Sequence, residues 1–170
     1  EQSGYFDTIA AVEWEKAPCK NLAIRLRDKW KYKDADRRVM RFDIQRTDEL
    51  FQGWNNDPTY DSSVGLDQLI HEADGIDVII GGPPCQAYSI AGRVRDENGM
   101  EDDYRNYLFE SYVKMVDHYK PKVFVFENVE GILSAKPGGI KIIERIKVAF
   151  EEIGYEITNN LRTNALFDTS

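Results

Sequence analysis

At 170 residues, with 42% hydrophobic and 12% aromatic content, the chain can bury one real core and is too apolar for a disordered segment. Its apolar runs are too short to span a membrane, and the stretch opening at Glu1 lacks a signal-peptide pattern, which predicts a cytoplasmic protein. A net charge of −8 argues against a freestanding nucleic-acid binder, which is usually basic.

Strand-like and helix-like segments alternate along the chain, the pattern of an α/β domain with a mostly parallel sheet. Thr8–Val12 reads as a short buried strand ending at Glu13-Trp14, and Ala17–Lys29 as a helix with Leu22, Leu26 and Trp30 at helical spacing. Lys20, Arg25, Arg27, Lys29, Lys31, Lys33, Arg37, Arg38 and Arg41 crowd this region and read as solvated helix and loop surface. Val39–Phe42 is a second strand, ending at Asp43. A polar stretch containing Gly53, Pro58 and Gly65 reads as an irregular loop, and Leu66, Leu69, Ile70 and Ala73 as a short helix. Ile76–Ile80 is the next strand. Residues 87–106 carry no helical or strand period and read as a long mobile loop. Leu108, Phe109, Tyr112, Val113 and Val116 mark a helix stopped before Pro121. Lys122–Phe126 is a strand, Ile143, Ile146, Phe150 and Ile153 line a helix ending at Gly154, and Tyr155–Asn164 reads as a last strand.

Two of these strands end in residues that can do chemistry. The first runs into Gly81-Gly82-Pro83-Pro84-Cys85-Gln86, the second into Glu127-Asn128-Val129. In open parallel sheets the carboxyl ends of the strands form the ligand crevice, so Cys85 and Glu127 are placed to face one site. Cys85 and Cys19 make no disulfide framework, and a reducing compartment suits a working thiol. A cysteine after a buried strand is more often a small core hydrophobe than a nucleophile, and Cys19 reads that way. Around Cys85, the double proline fixes two successive φ angles and removes two donors, favouring a rigidly presented thiolate. Glu127 follows an apolar run that predicts a partly desolvated carboxyl able to donate a proton near neutral pH; capping the next turn is the other reading.

Pro84-Cys85-Gln86, followed by Glu127-Asn128-Val129 about forty residues on, closely resembles the DNA (cytosine-5) methyltransferase family, of the bacterial restriction-modification type. The resemblance runs through nearly the whole chain and implies a Rossmann-like S-adenosylmethionine-dependent methyltransferase fold. It implies that Cys85 adds covalently to C6 of cytosine while Glu127 assists at N3. It further implies that Glu13, Trp14, Asp43, Ile44, Pro83 and Leu108 line the S-adenosylmethionine site, with Glu13-Trp14 on ribose and adenine and Asp43 on the adenine amino group. Pro84, Gln86, Ser89, Arg93, Arg105 and Asn128 are the implied substrate contacts, and duplex DNA with a flipped cytosine is the implied partner, with a cognate restriction endonuclease in the same system. The segment Asp102–Phe109 resembles the close of the catalytic loop and Asn164-Ala165-Leu166 the start of a further motif.

Measured against that family, the glycine-rich first strand, which lies at the centre of the family's sheet, and the target-recognition region are missing. Residues 1–170 therefore read as the core of a catalytic domain truncated at both ends, an incomplete cofactor site included, and inactive on its own. A related branch carrying both motifs acts on tRNA, and a non-catalytic module keeping the fold is a third reading.

Overall fold

The computed structural model of the chain describes residues 4–83, 108–127 and 141–158. They form a mixed α/β arrangement: β1 (Ala11–Glu13), α1 (Lys16–Asp28), α2 (Ala35–Arg38), β2 (Val39–Arg41), α3 (Thr47–Gln52), β3 (Gly53–Asp57), β4 (Asp61–Val64), α4 (Leu66–Glu72), β5 (Val78–Gly81), α5 (Leu108–Tyr119), β6 (Val123–Phe126) and α6 (Ile142–Glu152). None of the described helices is long and apolar enough to cross a membrane.

The predicted helices recur within a residue or two, while the strands are shorter, with β1 beginning at Ala11 and not at Thr8. Helix α1 tolerates Pro18 because a proline in the first turn gives up no intrahelical hydrogen bond. Its buried stripe is Cys19, Ala23 and Leu26, one position off the predicted Leu22–Leu26–Trp30 line. Among the described residues the strands pair only two by two. β1 and β2 are parallel, with Ala11 opposite Val39 and Glu13 opposite Arg41. β5 and β6 are parallel, with Val78 opposite Val123 and Gly81 opposite Phe126.

Two expectations need correction. Residues 47–64 are not an irregular loop: α3 is followed by the antiparallel hairpin β3–β4, in which Gly53 faces Val64 and Trp54 faces Ser63. Gly53 takes φ +97°, and a Cβ on Gly65 would lie 1.9 Å from the Phe51 carbonyl oxygen, so the base of the hairpin closes only over glycine. Residues 155–158, in turn, form no strand; the rest of the expected last strand lies outside the described residues. Tyr155 is tied down instead by donating its hydroxyl proton to the Pro121 carbonyl at 2.6 Å.

The core has two parts. Met40, Phe42, Leu50, Phe51, Trp54, Leu66 and Leu69 fill the first, between β1–β2 and the hairpin region. Ile79, Phe109, Tyr112, Val116, Ile142, Ile146 and Phe150 fill the second, where α5 and α6 cover one face of β5–β6. The parts meet at the end of α5, where Phe51 stacks on the His118 ring at 4.2 Å and Asp67 receives Tyr119 Oη and His118 Nε2, each at 2.9 Å.

Candidate functional site

Because β1 and β2 run parallel, their carboxyl ends open on the same side and bring Glu13, Trp14 and Asp43 together. The ladder continues one step past the strands, with the Phe42 N–H donating to the Glu13 carbonyl at 3.1 Å. Each carboxylate anchors its own turn: Glu13 accepts the Glu15 N–H and Asp43 the Gln45 N–H, both at 2.9 Å. Trp14 lies open at 55% exposure, while Ile44 is half-buried against the first core part. Acceptor carboxylates beside an open indole suit a nucleoside, with its ribose hydroxyls, amino group and flat base.

Behind this edge, Cys19 is buried and donates its thiol proton to the Glu13 carbonyl at 3.4 Å. Burial pushes its pKa up, so it is the core hydrophobe its sequence context predicts. The basic stretch likewise proves to be surface: Arg27 pairs with Asp36, Arg37 with Glu72, and Arg38 with Asp34 and Asp7.

A second edge forms where β5 and β6 end. The Glu127 N–H donates to the Gly81 carbonyl at 2.8 Å, carrying the parallel ladder one residue beyond β6. The two glycines serve different neighbours. A Cβ on Gly81 would meet Cε2 of the Tyr112 ring at 2.3 Å, whereas one on Gly82 would meet Oε2 of Glu127 at 2.5 Å. The first clearance seats a core aromatic; the second lets the carboxylate fold over the backbone leading to Cys85. Tyr112, buried beneath, reaches the carbonyls of Ile79 and Val125 with its hydroxyl at 3.1 and 3.0 Å, bridging both strands, and burial raises its phenol pKa.

Glu127 itself is exposed, not partly desolvated as the apolar run before it predicts. Side chains alternate across a strand, and Glu127 continues the row of Val123 and Val125, which are 54% and 45% exposed, while Phe124 and Phe126 face the helices. Pro83 and Leu108 are both buried. Pro84, Cys85, Gln86, Ser89, Arg93, Arg105 and Asn128 lie outside the described residues, as do the 87–106 loop and Asn164-Ala165-Leu166.

At the first edge, sequence reasoning passed over Tyr60 and took Arg41, which is half-buried, for solvated surface. Arg41 donates from Nε to the Trp14 carbonyl at 3.3 Å and from Nη1 to the Thr59 carbonyl at 2.9 Å, and Tyr60 receives the Trp14 indole N–H at 3.0 Å. The Asp57-Pro58-Thr59 turn just before Tyr60 was the available signal.

Similarity to known proteins agrees with this geometry. The chain is 46% identical over 123 residues to the type II methyltransferase M.Bpa9945I of Bacillus paralicheniformis, covering 69% of this chain and 27% of that protein. It is 32% identical over 169 residues to the type II methyltransferase M.Sau96I of Staphylococcus aureus, covering 99% of this chain and 32% of the relative. To the type II methyltransferase M1.HphI of Haemophilus parahaemolyticus it is 42% identical over 82 residues, 48% of this chain and 21% of the other. The chain thus spans about a third or less of the length of these curated relatives. The family model for C-5 cytosine-specific DNA methylases matches residues 1–170, and the chain belongs to that family.

Proposed function

We propose that the protein containing this chain transfers a methyl group from S-adenosylmethionine to C5 of cytosine in duplex DNA. The observation that carries the reading is the coincidence of the two strand ends. Glu127 is hydrogen-bonded to Gly81 and its carboxylate lies against Gly82, three residues before Cys85. An acid beside the backbone that runs on toward Cys85 supports that pairing.

The chemistry needs both groups. C5 of cytosine is a poor nucleophile until something adds at C6. The Cys85 thiolate forms a bond to C6 as the C5–C6 π electrons shift into the ring, and the protonated Glu127 carboxyl holds the N3 and amino edge and gives its proton to N3, where the charge develops. When bound, S-adenosylmethionine supplies an electrophilic methyl group. Glu13, Trp14, Asp43 and Ile44 would hold its nucleoside end, and Pro83 and Leu108 would line the same site. Loss of the C5 proton and departure of the Cys85 thiolate restore the aromatic ring. Because C6 is closed off in a stacked duplex, the base must leave the stack. Ser89, Arg93 and Arg105 serve as phosphate contacts, and Pro84, Gln86 and Asn128 as contacts to the extruded nucleotide.

Residues 1–170 serve best as the core of a longer, Rossmann-like catalytic domain. Neither β1 nor β5 is paired on its second edge among the described residues, and Ile80, Val123 and Val125 leave one face of a parallel pair open, with Ile80 73% exposed. Parallel sheets are ordinarily covered on both faces, which supports reading this pair as part of a larger domain.

The test is covalent trapping on DNA carrying 5-fluorocytosine, where the C5 substituent blocks the final elimination. Full-length protein with S-adenosylmethionine should form a denaturant-resistant adduct, and Cys85→Ala should form none. Failure of the unaltered protein to trap would sink the reading; an adduct with tRNA and not with duplex DNA would move the substrate.

A further inference from the structure

The β3–β4 hairpin does more than fill a surface. It reaches back across 46 residues of sequence to hold Trp14, whose indole N–H donates to the Tyr60 hydroxyl at 3.0 Å. We propose that Tyr60 is a positioning residue for the cofactor site, fixing the indole of Trp14 in the orientation that receives the flat base of S-adenosylmethionine.

An indole that is 55% exposed has little packing to choose its rotamer, so one directional hydrogen bond can decide it. Tyr60 is itself held on every side. Asp57 accepts the Thr59 and Tyr60 N–H groups at 2.8 and 3.0 Å, and the Trp54 indole N–H donates to the Tyr60 carbonyl at 3.1 Å. The Tyr60 ring lies 5.0 Å from the Phe42 ring, which stacks on Trp54 at 3.8 Å. The Arg41 guanidinium, 5.3 Å from the Tyr60 ring, joins the carbonyls of Trp14 and Thr59 and so ties the hairpin to the strand end. A rigid partner for an otherwise loose aromatic is how a second row of residues orients the first.

The inference rests on the reading of Trp14 as a wall of the cofactor site, and a double-mutant cycle in the full-length protein separates the two. Tyr60→Phe removes only the hydroxyl and keeps the ring contacts. It should raise KM for S-adenosylmethionine about 3- to 10-fold, the size of one hydrogen bond. Turnover at saturating cofactor should stay within about twofold, the signature of lost ground-state binding. Trp14→Phe removes the donor and should raise the same KM, and adding Tyr60→Phe to it should change nothing further. Additive effects, or a Tyr60→Phe enzyme with unchanged KM beside an impaired Trp14→Phe enzyme, would overturn the role of Tyr60 and leave Trp14 in the site. An unchanged KM in Trp14→Phe would overturn the placement of Trp14 and the inference with it. A hairpin that only supported the fold would lower the melting temperature without splitting KM from kcat.

Discussion

The two strand-end edges are built in opposite ways. At the β1–β2 edge the functional candidates are tied by side-chain hydrogen bonds: the Trp14 indole to Tyr60, the Trp14 carbonyl to Arg41, and the Asp43 carboxylate to the Gln45 N–H of its own turn. At the β5–β6 edge the described residues contribute mostly backbone. Two glycines clear room for the Tyr112 ring and the Glu127 carboxylate, and Glu127 stands exposed. A fixed surface suits a cofactor that presents the same nucleoside in every turnover. A carboxylate with clearance suits a partner that arrives with its own hydrogen-bonding edge. The difference also sets where substitutions act, on stability at one level and on geometry at another.

The largest effect should come from the packing that supports the second edge. Phe150 is 1% exposed, stacks on Phe124 at 4.2 Å and meets Tyr112 and Phe126 edge-on. Phe150→Ala should cost about 3–5 kcal/mol in denaturant unfolding, since it removes a large ring and leaves a cavity. Val123→Ala, one residue from Phe124 but on the open face, should cost no more than about 0.5 kcal/mol if that face is exposed in the intact protein. A large cost at Val123 would mean that this face is covered too, as the proposed longer domain expects, and would erase the contrast between the faces.

A pair of glycine variants tests the edge itself. At Gly82 the obstacle to a Cβ is the tip of a flexible side chain, so Gly82→Ala should fold nearly normally while pushing the Glu127 carboxylate away by about 1 Å. Misplacement of that size can cost about 100-fold in turnover. At Gly81 the obstacle is a buried ring, and Gly81→Ala should cost about 1–3 kcal/mol in stability as an overpacked core. Unfolding curves and single-turnover rates on the two proteins should separate cleanly. If Gly82→Ala kept its rate, the carboxylate would not be working from the position it holds beside Gly82.

Most of the scaffold was legible because it follows periodicity. Leu108, Tyr112 and Val116 sit on one helical stripe, and the β5 and β6 segments announce themselves as β-branched and aromatic runs between breakers. The hairpin was not legible. Asn55, Asn56, Asp57 and Pro58 are poor strand formers, and the hairpin is held by the Trp54 side chain and the Asp57 turn, not by an alternating pattern. Glu127 was misjudged for a related reason: the run before it is apolar at every position, but only alternate side chains find a covered face. Of the candidate site, the strand-end residues could be placed from sequence because parallel pairing fixes which ends meet. Tyr60 could not, because its role depends on a contact 46 residues away.

The smallest effect expected is electrostatic and belongs to the first region. Arg37 grips Glu72 through two hydrogen bonds at 2.5 and 2.7 Å, tying α2 to α4, and this holds the Glu72 carboxyl down at about 2 against its usual 4.5. Asp57 lies below its normal range as well, through the Thr59 N–H and then Arg46. A carboxylate with a depressed folded-state pKa stabilises the fold above its unfolded value and loses that contribution as pH falls through the folded one. The loss at Glu72 should therefore run between pH about 4.5 and about 2. Because Glu72 and Arg37 are solvent-exposed, the effect should be small and weakened by salt. Unfolding midpoints measured across that window should show a shallower acid slope in Glu72→Gln than in the unaltered protein. Equal slopes would mean the pair orders the surface without stabilising it. Stability in the first region would then rest on the Phe42–Trp54–Tyr60 stack, bringing it closer to the aromatic packing that holds the second.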